Sequence, residues 1–218
     1  MNTPSSTINL IELSPEVRAT CGAGPAFFDT PWRNYRREFQ LGEQHIPELL
    51  EILRSEAEGV EIGAWVGLHA RRALGELHAV ESLEILLRQA RDDDGVVLDL
   101  PVIAGLIGAE AMPRLAAQLR RRPDDDDTLV MVAITGLLVL GSWHQCLKGT
   151  VVGILCEQLQ AYPSQSRKTN GALLAALKVL ADGDCSETID QVSSRPLYYA
   201  AVNLGEFPST PNEAVASD

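Results

Sequence analysis

The sequence predicts an all-α protein: a right-handed α-α superhelix, or α-solenoid, of about four to five helix pairs behind an irregular N-terminal segment. Three observations predict it. Leu74-Gly75, Ile107-Gly108 and Leu140-Gly141 recur at 33 residues, twice in succession, each closing an apolar run at helical spacing. Such a period is what stacked helix pairs leave in a sequence. Leu49, Leu83 and Leu115 follow one another at 34 and then 32 residues, so the period holds in the first helix of each unit as well as in the second. Finally, Ala and Leu dominate, aromatics are only 5%, and no alternation of β-branched and aromatic residues is sustained.

Residues 1–28 contain three prolines, several Ser and Thr and the segment CGAGP, and are expected to form an irregular arm from which only Ile8–Leu13 is apolar enough to pack. Asp29-Thr30-Pro31 reads as a helix start, with a capping side chain and a proline where its missing N–H costs nothing. The helix WRNYRREF that follows places Trp32, Tyr35, Arg36 and Phe39 on one side, as an N-terminal cap on the solenoid. The repeats then run roughly over 43–77, 78–109, 110–143, 144–183 and 184–195. In the first, a helix His45–Ala57 carries Ile46, Leu49, Leu50 and Leu53 on one face, and its partner spans Ile62–Leu77 with Gly75 ending it. The second pair begins at Val80, with its second helix over Val96–Ile107. The third begins at Met112-Pro113 and continues through Thr128–Leu140. Beyond Gly141 the register lengthens, with helices Cys146–Tyr162 and Arg167–Leu180 joined through Pro163-Ser164. A short helix Ser186–Val192 and a C-terminal cap built on Leu197, Tyr198, Tyr199, Val202 and Phe207 complete the solenoid at residue 207, and 208–218 read as a flexible tail.

Composition restricts function. A net charge of −12 argues against a binder of phosphate backbones, so no nucleic-acid partner is expected. The segment MNTPSSTINLIELSPEV has no basic region ahead of a long apolar run. No stretch reaches the roughly 18–20 apolar residues of a membrane span. The expectation is a cytoplasmic protein with no membrane contact. Cys21, Cys146, Cys156 and Cys185 are scattered, with no CxxC pair and no His at zinc-ligand spacing, and read as reduced, mostly packed thiols. No metal or cofactor is expected.

A first helix opening with an apolar residue and Pro, then L-x-x-x-L, is followed here by an Ala-rich second helix closing in Leu-Gly or Ile-Gly. The residues are Ile46-Pro47 with Leu49 and Leu53, His69-Ala70 with Ala73-Leu74-Gly75, Met112-Pro113 with Leu115 and Leu119, and Ile107-Gly108. This pattern resembles the short bacterial HEAT-like repeats of the phycobilisome-lyase type, over about residues 45–141. The resemblance implies a HEAT-like solenoid. It also implies an alternative activity, that of a bilin-lyase-like or chaperone-like enzyme on the same scaffold.

Two surfaces are candidates for binding. Asp92-Asp93-Asp94 and Asp124-Asp125-Asp126-Asp127 recur at 32 residues, in the turn between first and second helices, with Glu56, Glu58 and Glu61 one repeat earlier. Stacking would gather them into an acidic edge that attracts a basic protein. Each run also precedes a second helix, where carboxylates cap free amides and complement the dipole. The second helices normally line the concave face, and in the first repeat they offer Trp65, His69, Arg71 and Arg72. The 33-residue equivalents of Trp65 are Leu98 and Met131 and those of His69 are Val102 and Thr135, which favours packing for both. Arg72 maps to Gly105 and is the stronger groove residue. His144, beside Trp143, reads as a loop residue rather than a general base, and no GxSxG, HExxH or P-loop is present. The function this supports is a non-catalytic protein-interaction or scaffold module with a protein partner.

Overall fold

The computed structural model describes residues 12–25, 32–60, 62–63, 65–120, 128–161 and 167–182, which are mostly helical and contain no strand. The chain forms two compact units, Met1–Asp99 and Leu100–Asp218. The first holds α1 (Pro15–Cys21), α2 (Tyr35–Glu38), a 3-10 turn at Glu43–His45, α3 (Ile46–Ala57), α4 (Val66–Glu76) and α5 (Ser82–Gln89). Helix α6 (Asp94–Ile107) begins in it and ends in the second unit. There a 3-10 turn at Gly108–Ala111 leads to α7 (Met112–Arg120), α8 (Thr128–Trp143), α9 (Gln145–Ala161) and α10 (Arg167–Asp182).

In the first unit α3 packs on both α4 and α5, and α4 also receives α1, α2 and α5. The expected face of α3 is the buried one, with Leu49 and Leu53 fully covered, and Ile52 joins them because α3 has neighbours on two sides. In the second unit α8 packs on α7, α9 and α10, and α9 packs on α7 and α10. Helix α8 is apolar all round, as a helix surrounded by others must be, and every residue from Val130 to Gly141 is buried. Thr135 is accommodated because its hydroxyl donates to the Met131 carbonyl one turn back, at 2.8 Å.

Several boundaries differ from expectation. The segment read as an irregular arm contains α1, started by Ser14, whose side chain accepts the Val17 N–H, with Pro15 in the first turn. Val17, Thr20 and Cys21 are buried. The helix read from Asp29-Thr30-Pro31 begins instead at Tyr35, because Asn34 supplies the cap and accepts the Arg37 N–H at 2.9 Å; residues 29–31 lie outside the described residues. Helix α4 starts at Val66 rather than Ile62, since Gly63 has φ +83°.

The three repeated glycines play three different parts. Gly75 lies inside α4, which ends one residue later in a Schellman turn: Ala79 N–H donates to Leu74 O and His78 N–H to Gly75 O, with His78 at φ 57°. Gly108, at φ 83°, does end its helix. Gly141 is within α8, and a β-carbon there would stand 2.9 Å from Leu180 Cδ2, so this glycine is required by the close approach of α10. Gly105 on α6 is tighter still. Gly105→Ala would bring Cβ to 2.6 Å from Val139 Cγ1 and 2.8 Å from the Trp143 ring, and is expected to destabilise by about 1–3 kcal/mol, read as a fall in thermal midpoint.

One helical run exceeds the apolar length expected from sequence. Asp94–Arg120 spans 27 residues with mean hydropathy 1.7 in its most apolar window, enough by length and composition to cross a membrane, yet 67% of that window is buried inside the protein. Pro101, Asp99 and the break at Gly108 interrupt it. Among the cysteines, Cys21 is buried and free, and burial lifts its thiol to about 11, while Cys146 is exposed and Cys156 half-buried. Cys185, the helix read at 186–192, the C-terminal cap and the tail lie outside the described residues.

Candidate functional site

Every residue of α4 from Val66 to Gly75 is buried, including His69, Arg71 and Arg72. A helix with three basic side chains survives that burial only if each finds a partner. Asp99, on α6, supplies one for both arginines. Its Oδ2 accepts Arg71 Nε at 2.9 Å, and its Oδ1 accepts Arg72 Nη2 at 2.9 Å and Nε at 3.2 Å. The three residues are only 4%, 3% and 3% exposed for Arg71, Arg72 and Asp99. Adjacent helix positions diverge by about 100°, so the two guanidiniums reach one carboxylate from different sides. The Arg72 guanidinium also lies over the Trp32 ring, 4.7 Å from its centroid, a cation–π contact made while its Nε and Nη2 edge is held by Asp99.

His69 is 0% exposed and bridges two segments. Its Nε2 lies 2.8 Å from the Gly24 carbonyl and its Nδ1 2.8 Å from the Tyr35 hydroxyl. A carbonyl can only accept, so Nε2 carries the proton and Nδ1 accepts from Tyr35. Burial lowers the His69 pKa, with the Gly24 carbonyl opposing it, and burial raises that of Tyr35. Both groups are therefore held neutral. Tyr35→Phe keeps the packing but strands Nδ1 without a donor. It is expected to cost about 1–3 kcal/mol, measured as a shift of the denaturant midpoint.

Two carboxylates complete the cluster. Glu76, at the end of α4, accepts the Arg36 N–H on Oε2 at 3.1 Å, and burial raises its pKa to about 7 against the pull of Arg36 and Tyr35 amides and the Trp32 side chain. Glu56, at the end of α3, accepts Gln89 Nε2 at 3.1 Å and lies against Gly67, where a β-carbon would have no room. Burial raises its pKa, the charge of Arg71 opposes the rise, and Asp93 adds to it.

The binding residues expected from sequence are therefore distributed unevenly. Arg72 is not a groove residue, since Asp99 and Trp32 enclose it. His69 is internal, in line with the packing its apolar equivalents favour. Trp65 is half-buried as the residue before α4. Asp93 accepts Gly95 N–H at 2.7 Å and Val96 N–H at 3.3 Å, which is the capping role, whereas Asp92 and Asp94 are exposed. Asp93 stands close enough to Glu56 for its charge to act there, so the first two acidic turns are neighbours. Asp124–Asp127 and Glu61 lie outside the described residues. His144 Nε2 meets the Gly105 carbonyl at 2.8 Å and ties the α8–α9 corner to α6.

Sequence reasoning missed Asp99 and Tyr35 as partners of α4, and Glu76 at its end as the acceptor of the Arg36 amide. One signal was present: Asp99 is the only charged residue between Gly95 and Ala109, in an otherwise apolar run. Among the described residues no group of three or more His, Cys, Asp or Glu could hold a metal ion. What the fold and the cluster define is an all-α chain with a paired ionic core. No family model matches it, and neither the curated proteins nor the solved structures include a match.

Proposed function

We propose that this chain is a HEAT-like α-solenoid that acts as a non-catalytic protein-interaction or scaffold module, cytoplasmic, with a basic protein partner bound along its acidic edge. The observation that carries this reading is the order of helix contacts within each unit. First helices of successive pairs pack together, α3 with α5 and α7 with α9, while each packs on its own second helix, α3 on α4 and α7 on α8. That is how a stack of helix pairs is built. Arg71, Arg72 and His69 are consumed internally, so the second helix of the first pair has no cation left to offer a ligand. The exposed Asp92 and Asp94 beside Glu56 favour the edge instead, and Asp124–Asp127 occupy the same repeat position in sequence.

Affinity capture from lysate at low and moderate salt tests this, comparing the parent with a variant carrying Asn at 92, 94 and 124–127. A partner rich in Lys and Arg, retained by the parent, weakened by salt and lost with the variant, is the expected result. Recovery of no protein at either salt, or equal recovery by both chains, would overturn the proposal.

A further inference from the structure

In the second unit first helices pack on first helices and second on second, α7 with α9 and α8 with α10. A stack built this way leaves one side of its last pair open unless the chain that follows covers it. The α9–α10 pair has such a side. Glu157 of α9 pairs with Arg120 of α7 at 3.2 Å, which marks the flank turned toward α7. Val152, Cys156 and Leu159, about 100–160° round the helix from Glu157, are only half-buried. On α10, Leu174 is the large apolar side chain left exposed among the described residues, at 56%, and Leu177 beside it is half-buried.

Charge sets this face apart from the rest of an acidic chain. The sequence holds three lysines, Lys148, Lys168 and Lys178, and all are on α9 and α10. Lys148 stands one turn from Val152 and Lys178 one turn from Leu174, so each apolar face carries a cation at i, i+4 spacing. A β-carbon on Gly141 would meet both Leu180 and Val151. The end of α10 therefore lies beside the first half of α9, and Lys148 and Lys178 fall toward one end of the pair. Such a surface fits an occupant that is both apolar and acidic. The basic partner suited to the acidic edge is repelled here.

The chain itself supplies that occupant. Residues 183–218 carry six Asp or Glu against one Arg, and Ile189, Val192, Leu197, Tyr199, Val202 and Phe207 provide apolar side chains within direct reach of α10. We propose that residues 186–207 of the same chain dock on this face of α9 and α10 and close the open side of the stack. Residues 186–195 take the place beside α9 and 196–207 the place beside α10, in the order that α9 and α10 follow on α7 and α8. The proposal rests on the stacked-pair reading above, but failure of the partner capture at the acidic edge leaves the results below as they are, so the two fail separately. The docked segment opens apart from the core, so a change at Leu174 is read in the segment and leaves the core's denaturant midpoint within the range of an exposed site.

Zero-length carbodiimide cross-linking of the unaltered full chain, in a mixture of unlabelled and nitrogen-15 chains, tests the docking. The expected products join Lys148 or Lys178 to Glu187, Asp190 or Glu206 within one chain. Links of hybrid mass put a second copy on the face and overturn the proposal, as does the absence of any link from either lysine to those three carboxylates. Amide hydrogen exchange gives a second measurement with Leu174→Asp, which sets a carboxylate on the seat of an acidic segment. Protection of the amides from 197 to 207 is expected to fall about tenfold in the variant while that of α8 is unchanged. Equal exchange of 197–207 in the two chains, or exchange at the intrinsic rate in the parent, overturns the proposal.

Discussion

Asp99→Ala is expected to destabilise the fold by about 3–5 kcal/mol, because it leaves two guanidiniums buried without their shared carboxylate. Native domains hold only about 5–15 kcal/mol of stability, so this single change approaches the limit of what the chain can lose. Arg71 and Arg72 are 4% and 3% exposed and cannot recover hydration without opening α4. The measurement is the denaturant midpoint by far-ultraviolet circular dichroism. A sharper form adds the triple variant Arg71→Met, Arg72→Met, Asp99→Leu, which removes both charges and counter-charge together and is expected to regain most of the loss. If Asp99→Ala alone moves stability by less than about 1 kcal/mol, a loss typical of surface ion pairs, the triad does not hold the fold as the geometry requires. Salt should matter little to the parent, since buried pairs are weakly screened.

Leu74→Ala is expected to cost about 2–5 kcal/mol, the range for deleting a large side chain from a core that cannot collapse around the gap. Leu74 is 0% exposed, and so is Leu140, its equivalent two periods later. Leu140→Ala should fall in the same range. The contrast is Leu174 on α10, 56% exposed, where the same change should stay within about 0.5 kcal/mol. Chemical denaturation of the three variants gives the comparison directly, and similar losses at all three would mean that the period does not mark the core.

The helices whose apolar residues keep to one face were readable from that face alone, as α3, α5 and α7 illustrate. Helix α8 was readable from its unbroken apolar run. What could not be read was the interior of α4, because adjacent arginines on a helix look like a solvated stripe until their counter-charge is placed, and that counter-charge sits 27 and 28 residues away on another helix. The same holds for His69, whose partners lie 34 and 45 residues earlier in the chain. Helix α1 escaped notice because seven residues give too few turns for a periodicity, although Ser14-Pro15-Glu16 is a start signal in its own right. The repeated glycines were legible as a period but not as roles. A glycine that ends a helix and one that admits a neighbouring helix look alike in sequence, and Gly108 and Gly141 divide in that way.

The fastening of residues 12–25 and 32–39 onto α4 has a consequence for the order in which the polypeptide acquires its form during synthesis. Gly24, Trp32, Tyr35 and Arg36 leave the ribosome before His69, Arg72 and Glu76, so the earliest segment has nothing to dock on until roughly three dozen more residues have emerged. Through that interval Tyr35 and Trp32 remain bare to chaperones. A pause that holds α4 inside the ribosome would lengthen their exposure, while one placed after Glu76 has emerged would find them already covered.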